Sequence, residues 1–168
     1  MCFYRYLFEL ESIFEQAPTF KAVSKYFLTS MIEETGSDAG IIYYFDEVRN
    51  NLTPRTLCEV RAEEIHAITQ TLKERTGIFE TILKDPTFPT PRLLKTRVRG
   101  GPEVAGGFYK SMLISSLVAH GHILGVTVLL KRKSGFTRGN LKLLRLFSPR
   151  AAVWLENARL YQLATDTT

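Results

Sequence analysis

The apolar residues near the N-terminus have the spacing of helices. A four-three-four spacing places four of them on one face of a first helix: Phe3, Leu7, Leu10 and Phe14. Pro18 ends this helix, because the residue before a proline is disfavoured in the α region. A second helix is predicted from Thr19 to Glu34, with Gly36 as its C-terminal stop. The chain therefore opens with two predicted amphipathic helices.

The pattern then changes to that of strands. Ala39 to Glu47 is rich in β-branched and aromatic residues on both faces, which predicts a strand covered on both sides. Asn50 and Asn51 mark a turn. The next segment, Leu52 to Val60, contains Pro54, which cannot donate to a ladder. This second strand is therefore predicted to lie at a sheet edge.

The middle of the chain is predicted to form helices and then a long loop. Glu63 to Arg75 has acidic residues first and basic residues last, as suits the helix dipole. Its predicted buried stripe consists of Ile65, Ile68 and Leu72. A short helical turn follows from Ile78 to Lys84. Asp85 to Gly107 holds four prolines and two glycine pairs, so we interpret it as a loop that acts as a flexible pocket lid.

The last third returns to strands and then to helix. Tyr109 to Val118 and Ile123 to Lys131 are predicted to form a β-hairpin around Gly121. Thr137 is the predicted cap of the next helix, and Pro149 is expected to kink or break it before a last helix that runs to about Leu163. The elements together predict an α/β (α+β) fold, with a central antiparallel sheet and helices on both faces.

Composition narrows the class of protein. The 168 residues suit one compact domain, and 45% hydrophobic with 23% charged residues is typical of a globular chain. Two cysteines, Cys2 and Cys58, build no disulfide framework and indicate a reducing, cytoplasmic compartment. The net charge of +5 comes from basic residues spread along the chain, which favours a solvated surface over nucleic-acid binding. The apolar stretch from Met112 to Leu130 is broken by polar residues and a turn, so no membrane span is expected.

Residues with catalytic chemistry are few and scattered. His66 has no acid, cysteine or second histidine at ligand spacing, and His120 and His122 flank a hairpin glycine where both can face water. Cys58 is interpreted as a small apolar filler. No nucleophile elbow, phosphate-binding loop or zinc-protease motif is present. The sequence therefore predicts no enzyme, no metal site and no cofactor.

The C-terminal third carries a family resemblance. The segments that carry it are Ser111–Leu117, Gly121–Leu129 with its Gly-x-x-x-Gly-Val pattern, Gly135-Phe136-Thr137 before a leucine-rich helix, and Ala151–Tyr161. The last of these resembles the "A-x-A-I-E-N-A-R-L-Y" helix that closes GAF domains. On these motifs the whole chain, 1–168, resembles a single sensory GAF domain, whose fold is profilin-like. The terminal helices, about 3–16 and 138–163, are the expected elements of dimerisation and output coupling.

The resemblance also implies a small-molecule pocket between the sheet and its second helical layer. Hydroxyls that interrupt apolar strands are the polar groups expected in such a site. The candidate ligand-binding residues on the strands are Tyr43, Tyr44, Ser115, Ser116 and Thr127. Arg92, Arg97 and Arg99 of the loop are candidates for meeting an anionic ligand. The cyclic-nucleotide signature of some GAF domains is matched only at Lys131 and Phe136, so that ligand is not expected.

The function implied is regulatory. A GAF-like chain is expected to sense an unknown small molecule in a prokaryotic signalling protein and to act on an output domain, such as a histidine kinase, a cyclic-nucleotide enzyme or a transcription activator. A parallel homodimer is expected through Leu7, Leu10, Phe14, Trp154, Ala158 and Tyr161, because exposed aromatic patches often mark interfaces. Two alternatives stay open, namely a structural dimerisation module without a ligand and a small stand-alone enzyme.

Overall fold

A computed structural model describes residues 19–95 and 107–166. The first predicted helix therefore lies outside the described residues. The helices are α1 (Phe20–Thr35), α2 (Ala62–Gln70), α3 (Ile78–Lys84) and α4 (Arg138–Asp166), and a π-helical turn, Thr71–Arg75, extends α2. The strands are β1 (Ala39–Asp46), β2 (Asn51–Cys58), β3 (Arg92–Lys95), β4 (Ser111–Ala119) and β5 (His122–Lys131). They form one antiparallel sheet in the order β2-β1-β5-β4-β3.

Helix α1 begins and ends where its capping residues predict. The Thr19 side chain accepts a hydrogen bond from the Ala22 N–H, which satisfies one of the free donors of the first turn. Gly36 ends the helix in the left-handed region at φ 67°, a conformation that costs glycine little. The predicted start and stop of this helix are confirmed.

The centre of the sheet is set by a close approach between β1 and β5. A side chain on Gly125 would place its Cβ 2.2 Å from the Tyr43 carbonyl oxygen, closer than any two such atoms can lie. The β4–β5 hairpin turns at His120 and Gly121, both with positive φ, which matches the twist of an antiparallel pair. The glycine pattern therefore marks strand contact and turn geometry.

Two apolar cores cover the two faces of the sheet. On one face α1 and α4 pack against alternate residues of the central strands, with Phe27, Met31, Ile42, Leu129 and Phe147 all buried. On the other face α2, the π-turn and α3 form a second layer. Its buried side chains include Ile41, Tyr43, Ile68, Leu72, Phe79, Ile82, Met112 and Val128. The predicted α/β (α+β) architecture, with helices on both faces of an antiparallel sheet, is confirmed.

The expected break at Pro149 is wrong, because α4 is one helix from Arg138 to Asp166. Proline removes the hydrogen bond to the carbonyl of Arg145, and both residues are exposed, so the free carbonyl lies on the solvent side. Phe147 before the proline and Ala151 after it are both fully buried against the sheet. This packing holds the helix together across the missing bond.

The expected loop from Asp85 to Gly107 is corrected in part. Residues Arg92–Lys95 form β3, which pairs with β4 from Arg92 opposite Ile114 to Lys95 opposite Ser111. The four prolines lie outside this short strand, so its ladder is not interrupted. Residues 96–106 lie outside the described ranges.

A buried carboxylate joins the second layer to the sheet. Glu64, at the start of α2, is 0% exposed and accepts hydrogen bonds from the Arg61 N–H and the Tyr109 hydroxyl, both at 3.1 Å. Arg132, at the end of β5, lies 3.0 Å from the other carboxylate oxygen and donates to the Tyr109 hydroxyl. Burial raises the pKa of Glu64, but these hydrogen bonds and the Arg132 charge outweigh it and lower the pKa below its ordinary value.

We expect Glu64→Gln to reduce the free energy of unfolding by about 1–3 kcal/mol, because a buried charged hydrogen-bonding group is removed. Because the folded-state pKa is lowered, the contribution of Glu64 is present at neutral pH and is lost as the pH falls below 4.5. Urea denaturation of both proteins at several pH values measures the difference. Glu63→Gln is the matched control, since that side chain is 60% exposed. Equal stability of the two variants at pH 7 would contradict the anchoring role.

We expect Gly125→Ala to destabilise the fold by about 1–3 kcal/mol or more, because β1 and β5 must move apart to admit the methyl group. Gly139→Ala in α4 is the control. Its Cβ would meet nothing closer than the Thr137 Oγ1 at 3.5 Å, and alanine favours the helix by up to about 1 kcal/mol. Thermal unfolding that ranks the two variants in the opposite order would disprove the close-approach argument.

Candidate functional site

The register of the sheet places the predicted site residues of the strands on two opposite faces. Ser115 pairs with Thr127, and Thr127 pairs with Ile42, whose side chain belongs to the core under α1 and α4. In the next row Ser116 pairs with Val126, and Val126 pairs with Tyr43 of the second-layer core. Successive side chains of a strand point to opposite faces. The expectation that Ser115 and Thr127 line the second-layer pocket is therefore wrong in its placement.

The interior of the second layer is occupied by side chains of the chain itself. Tyr43 is fully buried there, its hydroxyl lies 2.6 Å from the Thr69 Oγ1, and its ring meets Phe79 edge to face at 4.8 Å. Burial raises the pKa of Tyr43 to about 12, and this effect is larger than the opposing effect of its hydrogen bond with Thr69. Tyr43 thus fills space at the place where a ligand was expected.

Ser115 and Thr127 lie beneath α4. The Ser115 and Ser148 hydroxyls are 2.7 Å apart and buried, so they join β4 to the helix residue just before Pro149. The hydroxyl of Thr127 is buried and has no hydrogen-bond partner in the part of the chain that the structure describes. All three hydroxyls lie inside the interface between the sheet and the C-terminal helix.

Ser116 lies at the edge of β4, beyond the end of β3. Its N–H donates to the Thr90 Oγ1 at 3.1 Å, and the two hydroxyls are 2.8 Å apart. A cleft of only about 130 Å³ opens here between Ser116, Pro86 and Arg145. That volume is below the size of typical ligand pockets.

Of the predicted loop cations, Arg92 is the one that lies within the described residues. Arg92 is exposed, lies over the Phe88 ring at 4.7 Å and donates to the Pro89 carbonyl. Arg97 and Arg99 lie outside the described ranges. Their role in meeting an anion stays a prediction.

Tyr44 stands on the α1 and α4 side, in a chain of hydroxyls. Ser24 donates to the Lys21 carbonyl, Tyr44 donates to Ser24, and Thr56 is therefore the donor to Tyr44. Burial raises the pKa of Tyr44, against the lowering effect of the Ser24 and Thr56 hydrogen bonds. The chain ties α1 to β1 and β2.

A wide cleft of about 970 Å³ lies beside Tyr44, between the sheet and the C-terminal part of α4. Its wall on the helix carries Glu156 and Arg159, which form an ion pair at 2.7 Å, and Arg55 of β2 lines the sheet side. The sequence pattern did not predict this cleft. The three-residue spacing of opposite charges on one helix is the signal that predicts the pair.

The predicted interface residues on α4 differ in exposure. Ala158 is fully buried in the chain's own core, Trp154 is half-buried against it, and Tyr161 is 51% exposed. Leu7, Leu10 and Phe14 lie outside the described residues. The exposed large apolar side chains among the described residues of α4 are the predicted Tyr161 and four others: Leu146, Val153, Leu160 and Leu163.

Within residues 19–95 and 107–166, no group of three His, Cys, Asp or Glu side chains is placed so that it could bind a metal ion. His66, His120 and His122 are exposed. Among the helices of these ranges, none has the length and hydropathy that a bilayer crossing requires.

Comparison with known proteins gives matches in structure. No protein-family profile matches the chain, and no curated protein matches it in sequence. The GAF domain of a putative sensor histidine kinase from Pseudomonas syringae pv. tomato superposes with a TM-score of 0.66 at 18% identity, over 98% of this chain and 92% of that one.

Two further solved structures have the same architecture. A GAF domain/HD domain protein from Geobacter sulfurreducens gives a TM-score of 0.65 at 13% identity, over 84% of this chain and 94% of that one. The GAF domain of an Acinetobacter phosphoenolpyruvate-protein phosphotransferase gives 0.64 at 14% identity, over 95% and 97% of the two chains. Together with the sheet order and the two helical layers, these matches show that this chain has the fold of a GAF domain.

Proposed function

We propose that this chain is a regulatory, ligand-sensing module of a prokaryotic signalling protein, and that α4 passes its state to an output domain. The observation that carries the proposal is that α4 has apolar residues on two sides, one packed on the sheet and one exposed. One side of the helix packs on the sheet through Phe147, Ala151 and Leu155. A change in the sheet therefore shifts this helix as a body, since packed interfaces transmit displacement.

The opposite side of α4 carries an exposed apolar seam, which consists of Leu146, Val153 and Leu160. These residues are 49%, 39% and 50% exposed and follow one another at seven-residue spacing. A repeat of seven keeps apolar side chains on one line along a helix and is typical of coiled-coil contacts. The seam supports a homodimer in which the α4 helices of two copies lie side by side.

The solved structures of the same fold support the signalling context. One belongs to a putative sensor histidine kinase, and another to a protein that joins a GAF domain to an HD domain. An output domain in the same or a partner chain is consistent with such arrangements. The proposal assigns the chain no catalytic step and places it in the cytoplasm.

The second candidate function is a dimerisation module without a ligand. The observation that favours it is the filled second layer, in which Tyr43 and Phe79 occupy the space expected for a ligand. The two functions share the α4 contact and differ only in whether a small molecule changes it. A binding measurement therefore separates them.

We expect the 168-residue chain to be a dimer by analytical ultracentrifugation, and the double variant Val153→Glu/Leu160→Glu to be a monomer, because two charges would face their copies in an apolar seam. Arg145→Glu is the control, since Arg145 is exposed and lies about 100° around the helix from Leu146. Circular dichroism checks that each variant is folded. A monomeric parent chain at high concentration, or a double variant that stays dimeric, would refute the seam contact.

A further inference from the structure

A second cleft opens at the outer end of the second layer, where the β1–β2 turn meets α3. We call it the α3 cleft; its volume is about 360 Å³, within the usual range of small-molecule pockets. Its apolar floor consists of Leu52, Phe79 and Leu83. Leu52 and Phe79 are almost fully buried and Leu83 is half-buried, so the floor is a continuation of the second-layer core.

The rim of the α3 cleft has one positive charge in excess. Lys84 is neutralised by Glu80, whose carboxylate oxygen lies 2.9 Å from the lysine Nζ. Lys73 also lines the cleft, is exposed, and makes no ion pair with the described residues. An anion in the cleft would therefore meet the Lys73 ammonium without displacing another partner.

The backbone that carries Lys73 is unusual. Residues Thr71–Arg75 form a π-helical turn, closed by the bond from the Thr76 N–H to the Thr71 carbonyl at 3.0 Å. Such turns are rare and occur often at functional sites. The apolar periodicity of this helix, with Ile68 and Leu72 buried, does not require one.

The polar wall of the cleft offers an unused acceptor. Asn51, at the start of β2, lines the cleft, and its Oδ1, which has almost no exposed surface, has no hydrogen-bond donor among the described residues. Buried polar atoms usually have partners. The Asn51 side chain would have to turn toward the cleft for this oxygen to accept a hydrogen bond from a hydroxyl or N–H group of a ligand.

From these four observations we propose that the α3 cleft binds a small amphipathic carboxylic acid, with an apolar body on the floor, its carboxylate at Lys73 and a donor at Asn51. The proposal deepens the proposed function, on which it rests, because it names the class of ligand that the module senses. Phe79 contacts both the cleft and the Tyr43 ring of β1. A bound molecule would thus touch the central sheet through one side chain.

The probe is 3-(4-hydroxyphenyl)propionate, which carries all three features, added to the full chain and followed by amide chemical shifts and calorimetry. We expect saturable binding with shifts at Leu52, Phe79 and Lys73. Lys73→Gln should weaken binding about tenfold, the loss of one charged contact. The control Lys142→Gln removes an exposed lysine of α4, on the other face of the sheet, and should leave the affinity unchanged.

Two analogues and a second variant test the rest of the assignment. The neutral alcohol 3-(4-hydroxyphenyl)propan-1-ol should bind more weakly because it lacks the carboxylate, and 3-phenylpropionate because it lacks the donor for Asn51. Leu83→Trp should abolish binding by filling the cleft. No shifts at Leu52 and Phe79 with millimolar probe, or equal affinity in the Lys73→Gln and Lys142→Gln variants, would overturn the proposal. The dimer measurement uses no ligand, so its outcome tests the proposed function separately.

Discussion

The central strands of this chain are apolar on both faces, and a sheet of that kind is stable only when helices exclude water from each side. Ile41 and Ile42 are adjacent in β1 and both are fully buried, one toward each core. Because both faces of the sheet must be shielded from water, the fold has a helical layer on each side. Neither layer is dispensable, because the removal of either would expose buried apolar residues of β1, β4 and β5.

The two layers are attached by different kinds of interaction. The α1 and α4 layer is held mainly by apolar contact, with the Ser115–Ser148 and Tyr44–Ser24 hydrogen bonds as local additions. The second layer has apolar contacts too, but its first helix is also fixed by the buried carboxylate of Glu64. Ionic and hydrogen-bonded contacts are directional and orient α2 through a few atoms, whereas apolar contact is non-directional, so the position of α1 and α4 depends on the fit of many interdigitated side chains.

Local sequence signals predicted the elements well. Thr19 and Gly36 bound α1 because caps act through neighbouring backbone groups, and Pro54 placed β2 at an edge because it lacks a donor. The Gly-x-x-x-Gly-Val pattern, which carries part of the family resemblance, includes Gly125, and this glycine lies against the Tyr43 carbonyl in the structure. Each of these signals depends on residues near in sequence or on the geometry of a single strand.

The site was less predictable, because its geometry depends on distant residues. Ser115 and Ser116 are neighbours in a strand that is apolar on both faces, so no alternation of polarity tells which one faces α4. The burial of Glu64 depends on Tyr109, 45 residues away, and on Arg132. The α3 cleft is formed by a turn and a helix that carry no shared motif, and the π-turn beside it has no signature in the apolar pattern.

The continuity of α4 through Pro149 has a mechanical consequence. A helix that lacks one backbone hydrogen bond bends at that position at a lower cost in free energy than elsewhere, because no hydrogen bond is stretched there. The helix is packed on the sheet on both sides of this point, by Phe147 before Pro149 and by Ala151, Leu155 and Ala158 after it. The exposed seam of Leu146, Val153 and Leu160 spans the same point, so a second helix lying along the seam would stiffen α4 across the missing hydrogen bond.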